Sequence, residues 1–123
     1  MASTGSSATT ESVLDHHLDA FATQDMEEML ADYTDDSVVI TNTAGTFHGL
    51  DEIRTLFEGL FAEFEQEDVD FQLDRKVVED DIAYIVWHAE TPDNSYEFAT
   101  DTFHVHDGVI STQTLGAVVN PKN

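Results

Sequence analysis

An α+β fold is predicted for this chain by three observations. Apolar residues recur at helical spacing in its first half. After the acidic stretch at 65–68 the period switches to two and stays there. Helices are thereby segregated from a run of strands, unlike the βαβ alternation of a parallel sheet. The 123 residues fit one domain, and a chain of this size buries roughly two-thirds of its unfolded surface without a staple. It has no cysteine, hence no disulfide framework, thiolate nucleophile or Cys-based zinc site.

Residues 1–10, rich in Ser, Thr, Ala and Gly, lack the basic and apolar regions of a signal peptide and read as a flexible leader. Val13, Leu14, His17, Leu18 and Phe21 fall at helical spacing and predict a helix over 11–23. Asp25 can cap a second, short helix, with Glu28 three residues on in a capping-box pattern. Met26, Met29, Leu30 and Tyr33 form its apolar side.

A strand over 37–42, a turn at 43–45 and a short return strand at 46–48 follow. Gly49 ends that strand, and Asp51 can cap the third helix. Ile53, Leu56, Phe57, Leu60, Phe61 and Phe64 give this helix one wholly apolar face. Phe71, Leu73, Arg75 and Val77 alternate on the next strand, turned by 79–81. Strands over 82–91, 96–106 and 109–119 complete a meander, and Asp107-Gly108 is a strong two-residue hairpin signal. The domain thus spans 11–119, with a tail at 120–123. A strongly twisted antiparallel sheet wrapped on the helices leaves a conical hollow at its open end.

Charge is the most unusual feature. Asp and Glu number 26 against 4 Lys and Arg, a formal net charge of −22. Nothing here can neutralise phosphates, which excludes nucleic acid and an anionic membrane surface as partners. No apolar run approaches the ~18 residues of a membrane span. The acids either form a docking surface for a basic partner or solvate the whole surface. Docking surfaces are blocks or tails of like charge, whereas these acids are spread from Glu11 to Asp107. At molar salt the Debye length falls to about 3 Å, which screens such self-repulsion. A salt-rich cytoplasm is the preferred reading, so the expected location is cytoplasmic.

Four segments in this order resemble the nuclear transport factor 2-like superfamily, in its SnoaL-like branch. They are the helix pair through Asp25–Leu30, Tyr33–Val39, Phe47–Ile53 leading into the Phe-rich helix, and the strand–Asp107-Gly108–strand ending. The resemblance covers residues 11–119. It implies a cone-shaped α+β barrel enclosing a pocket, and a homodimer through the outer face of the sheet. It implies no single activity: members include polyketide cyclases, ketosteroid isomerase, limonene epoxide hydrolase, dehydratases and non-enzymatic binding modules.

The isomerase pattern carried onto this chain puts His17 at the helix position, Asp101 at the late-strand position and Thr41 at the base position. No base stands at Thr41, which argues against steroid isomerisation. Asp101, alternating with Ala99 and Phe103, is a general acid/base if it faces the pocket and a solvated strand residue if it does not. His17 lies on the apolar stripe, as a catalyst or as a satisfied pocket-lining residue. His88 forms a dyad with Asp101 if its strand face points inward, and an outer-face pair with Glu90 otherwise. Thr41, Phe57, Val86, Glu90 and Phe103 are the expected pocket-lining residues. His16 is expected to be exposed. His104 and His106 share a face but lack a third ligand, so no metal is expected. No cofactor is implied either. The expected function is therefore binding of a compact, apolar or carbonyl-bearing molecule, with cofactor-independent acid/base chemistry of isomerase, cyclase or dehydratase type. The alternative is a non-catalytic dimeric binding or assembly module.

Overall fold

The structure, a computed structural model, describes residues 6–122. Three helices and six strands follow in the order α1 (Ser6–Thr23), α2 (Met26–Leu30), β1 (Val38–Thr41), β2 (Thr46–His48), α3 (Gly49–Phe64), β3 (Asp70–Glu79), β4 (Ile82–Glu90), β5 (Asn94–His106) and β6 (Val109–Pro121). The strands form one sheet in the order β2-β1-β6-β5-β4-β3. Every pairing is antiparallel except β1 with β6, which run parallel. The expected α+β class holds, with a mixed rather than purely antiparallel sheet.

The helix α3 carries two apolar stripes, not one. Ile53, Phe57 and Phe61 are buried in the core, while Leu56, Leu60 and Phe64 are half-buried beside them. A spacing of three or four residues keeps each stripe on one side of the helix. The core stripe belongs to one buried cluster with Leu14, Met29, Val39, Ala83, Ile85, Ala99, Phe103 and Ile110, all under 4% exposed. Removing a side chain such as Ile53 down to alanine costs about 2–5 kcal/mol at such sites.

Several boundaries differ from expectation. Helix α1 starts at Ser6, so the second half of the expected leader is helical; residues 1–5 of that leader lie outside the described residues. Thr10 is buried and donates its hydroxyl to the Asp80 carbonyl oxygen at 2.6 Å, which fastens this first part of the helix to the β3–β4 turn. Strand β6 runs on to Pro121, into the expected tail, and the Lys122 N–H donates to the Asp93 carbonyl oxygen.

Asp25 caps α2 as expected, accepting from the Glu28 N–H at 3.2 Å. Glu28 does not complete the box. The Asp25 N–H already donates to the Ala20 carbonyl oxygen, and Glu28 turns to His16 instead. At α3 the cap position is His48, not Asp51: Glu52 accepts from the His48 N–H at 2.8 Å. Gly49 follows with φ +80°, and a Cβ there would stand 3.1 Å from the Asp35 carbonyl oxygen. Only glycine meets both conditions easily. At the Asp107-Gly108 turn both residues have positive φ, as a two-residue I′ hairpin requires.

Strand β3 departs most from its sequence pattern. Phe71 and Leu73 pair with Ala89 and Trp87, on the concave face. The register then shifts, and Arg75 and Val77 pair with Val86 and Tyr84, on the outer face. A bulge between Leu73 and Arg75 therefore splits what reads as one alternating set.

Candidate functional site

Between the concave face of the sheet and the helices lies a cavity of about 300 Å³. Helix α1 brings His17, Leu18 and Phe21 to it, and α3 brings Leu56, Phe57, Leu60 and Phe64. The sheet contributes Ile85, Trp87, Asp101, Gln113 and Leu115, among others. The exposed Thr43, Ala44 and Phe71 mark its open side. Asn42 holds the connection that carries Thr43 and Ala44: its side-chain amide donates to the Ala117 carbonyl oxygen at 2.8 Å and accepts from the Ala117 N–H at 3.0 Å. Near Asn94 and Tyr96, also on the wall, Glu63 accepts hydrogen bonds from Thr91, Asn94 and Tyr96.

A second set of polar groups, separate from Glu63, runs as one connected chain from Trp87 to His17. The indole N–H of Trp87 donates to Asp101 Oδ1 at 2.8 Å. The amide Nε2 of Gln113 donates to Asp101 Oδ2, also at 2.8 Å. The hydroxyl of Tyr33 donates to Gln113 Oε1. Since that hydroxyl proton is taken, the Tyr33 oxygen accepts from Nδ1–H of His17, 3.3 Å away. All four residues joined to Trp87 in this way are less than 7% exposed. Adjacent strands explain the proximity, because Asp101 lies opposite Ile85 on β4 and Leu115 on β6, with Trp87 and Gln113 two positions along.

Burial inverts the usual order of the two titrating groups. It pushes the Asp101 carboxyl up to about 6, and the hydrogen bonds from Trp87 and Gln113 oppose that rise. It pushes the His17 imidazole down to about 4, with the charge of His16 adding to the fall. Desolvation disfavours the charged form in both cases, so the carboxylate rises and the imidazole falls. Between these values the pair holds a neutral imidazole and a protonated acid. At neutral pH the imidazole is neutral and the carboxylate is ionised.

Of the expected site residues, His17, Thr41, Phe57 and Asp101 lie on the cavity wall. Phe57 stacks edge-on against His17. Thr41 sits at the open side with its hydroxyl donating to the Gly45 carbonyl oxygen. Phe103 is buried behind the wall, with its ring 5.0 Å from that of His17.

His88, Val86 and Glu90 point the other way. Ala83, Ile85, Trp87 and Ala89 are the buried, inward set of β4, so the even-numbered residues face outward. His88 is exposed and pairs with Asp74 at 2.7 Å. Glu90 accepts from Ser95 and pairs with Lys122. The His88–Asp101 dyad is therefore corrected: the partner chain of Asp101 runs through Gln113 and Tyr33 to His17.

His16 is corrected too. It bridges α1 to α2, with Nδ1 2.9 Å from Asp32 and Nε2 2.8 Å from Glu28, and hydrogen bonds to those carboxylates raise its pKa. His104 pairs with Asp81 at 2.9 Å, and no three His, Asp or Glu side chains among the described residues are placed to hold a metal ion. Gln113 and Tyr33 were not among the expected site residues. The available signal was Gln113 itself, the polar member of the alternating set that continues through Leu115, Ala117 and Val119.

Solved structures share this architecture. A nuclear transport factor 2-like protein of unknown function from Mesorhizobium loti matches with a TM-score of 0.78 at 19% identity, covering 91% of this chain and 93% of that one. An epoxide hydrolase of the limonene epoxide hydrolase-like type from M. tuberculosis matches with a TM-score of 0.69 at 16% identity, covering 90% and 84%. A SnoaL-like protein of unknown function from Burkholderia thailandensis matches at 0.68 and 15%, covering 90% and 95%. At such identities the likeness is one of fold. No curated protein matches the chain. The family model of the SnoaL-like domain matches residues 14–113, most of the sequence, and the chain belongs to that family.

Proposed function

We propose that the protein binds a compact, largely apolar molecule in the cavity and exchanges a proton with it through Asp101, without a cofactor. One observation carries the reading: Asp101 and His17, both buried, stand on one apolar cavity wall and are joined through Gln113 and Tyr33. A carboxyl group held near 6 gives and takes protons readily close to neutral pH. His17, neutral and oriented by Tyr33, is its partner. Isomerisation, cyclisation and dehydration all need such a poised group.

The single tryptophan of the chain, Trp87, lies on the cavity wall, so its emission reports occupancy. Neutral ring compounds are screened by that emission in concentrated KCl, and binders are followed by NMR in D₂O for deuterium uptake or loss of water. Turnover by the natural chain, and binding without turnover by Asp101→Asn, is the expected result. Binding without chemistry in both would make the protein a carrier or assembly module. If no compound binds, the ligand reading fails altogether.

The reading includes a homodimer formed through the outer face of the sheet, in a salt-rich cytoplasm. In support, the cross-strand rows Ile40–Thr114–Thr102–Tyr84–Val77 and Gly116–Thr100–Val86–Arg75 carry no carboxylate, in a chain with 26 of them. Phe98 and Val118, about half exposed, extend that face. Light scattering is expected to give twice the chain mass, falling to one chain mass in Phe98→Asp. A monomeric natural chain would remove the dimer from the reading.

A further inference from the structure

The hydrogen bonds of the wall are directional, and their direction selects a ligand. The donors that face the cavity interior are largely committed. Trp87 gives its indole N–H and Gln113 one of its two amide N–H groups to Asp101, and Tyr96 gives its hydroxyl to Glu63. The interior acceptors differ. Nδ1–H of His17 is held by Tyr33, which leaves a lone pair on Nε2. Nε2 has no protein partner among the described residues, yet no buried side-chain nitrogen or oxygen there lacks a hydrogen bond. Nε2 therefore faces open space, and for a residue 5% exposed on the cavity wall that space is the cavity.

Charge sharpens the selection. Among the described residues no lysine or arginine lines the cavity, and Asp101 stands on its wall. A carboxylate or phosphate entering here meets a like charge with nothing to neutralise it. The volume, about 300 Å³, is at the small end of ligand sites. Phe57, Phe64, Trp87 and Tyr96 supply flat aromatic surface around it.

We propose that the natural ligand is a neutral ring compound of about two fused rings bearing a hydroxyl group, which donates its O–H to Nε2 of His17 beside the Asp101 carboxylate. The inference rests on the cavity being a ligand site and narrows the class of molecule it takes. A methyl ether of the same shape leaves Nε2 unpaired, and an acid of the same shape adds a repelled charge.

The test compares 2-naphthol, 2-methoxynaphthalene and 2-naphthoate by titration calorimetry at neutral pH in concentrated KCl. 2-Naphthol is expected to bind about tenfold or more tightly than either analogue, the difference that one well-made buried hydrogen bond supplies. His17→Phe is expected to erase the preference over the ether. Should that variant not fold, the imidazole ¹⁵N resonances of the natural chain serve instead: Nε2 of His17 shifts with 2-naphthol and not with the ether. Equal binding of all three, tighter binding of 2-naphthoate, or an unmoved Nε2 resonance overturns the inference and leaves the ligand site standing. Failure of all three to bind overturns both.

Discussion

Trp87 donates its indole N–H to Asp101 at 2.8 Å from the adjacent strand, so the one tryptophan of the chain touches the group proposed to move the proton. Indole emission responds to a neighbouring charge. Trp87 fluorescence is therefore expected to change sigmoidally with pH, with a midpoint near the value of about 6 to which burial raises Asp101. Asp101→Asn should abolish the transition. A pH titration of emission checks this, and a flat trace across pH 5–7 in the natural chain would show that Asp101 ionises elsewhere.

His17 and Asp101 should also oppose each other in stability. Asp101 rises to about 6 from an unfolded value of about 3.9, so its contribution is fully present below the unfolded value and lost as pH rises through 6. His17 falls to about 4 from about 6.5, so its contribution is present above the unfolded value and lost as pH falls through 4. Between pH 4 and 6 the two slopes cancel. Each variant exposes the other group's slope, at most about 1.4 kcal/mol per pH unit for one proton. Relative to the natural chain, Asp101→Asn should gain stability as pH rises through this window, and His17→Phe should lose it. Urea unfolding at pH 4.5, 5.25 and 6 measures both signs; parallel curves for all three proteins would contradict the paired burial.

The parts of this architecture legible in the sequence are the local ones. The Phe-rich stripe of α3, the Asp25 cap and the Asp107-Gly108 turn each depend on residues a few positions apart. His17 and Asp101 stood out chiefly because the family resemblance places a functional residue at each, His17 also lying on the apolar stripe of its helix. What could not be read is non-local. The bulge after Leu73 turns Arg75 and Val77 outward, and no residue near it signals the change. Both faces of β4 carry apolar residues, Ile85 and Trp87 on one and Ile82 and Val86 on the other, so the parity of His88 was undetermined. The Tyr33–Gln113 bond joins residues 80 positions apart, and only the parallel β1–β6 pairing and the helix packing bring such segments together.

Gln113 links Asp101 to Tyr33, so replacing it tests the chain as a unit. Gln113→Leu keeps a side chain of similar size, yet removes the donor to Asp101 and the acceptor for Tyr33. Two buried polar groups then lose a partner, and a loss of about 1–3 kcal/mol in unfolding free energy is expected. One of the two interactions holding the Asp101 charge also goes, so the Trp87 emission midpoint should move upward in pH. Both readouts come from one protein. A stability loss with an unmoved midpoint would make Gln113 a packing residue only.

The acid surplus sets the last expectation. Among the cations, Lys76 lies 2.6 Å from Asp15 and 3.2 Å from Glu11, and Lys122 lies 2.9 Å from Glu90. These pairs leave a large excess of carboxylates, against a formal net charge of −22. Their mutual repulsion acts over about 10 Å at 0.1 M salt and about 3 Å at 1 M. The unfolded chain spreads the same charges further apart, so repulsion disfavours the compact state and salt relieves it. The melting temperature is expected to rise by about 5 °C or more between dilute and molar KCl, corresponding to about 1 kcal/mol for a domain of this size. Tetramethylammonium chloride at equal ionic strength should act almost as well if screening is the cause. A response to KCl alone would point to specific cation binding at the acidic surface, and a flat profile in both salts would remove the salt-rich habitat from the reading.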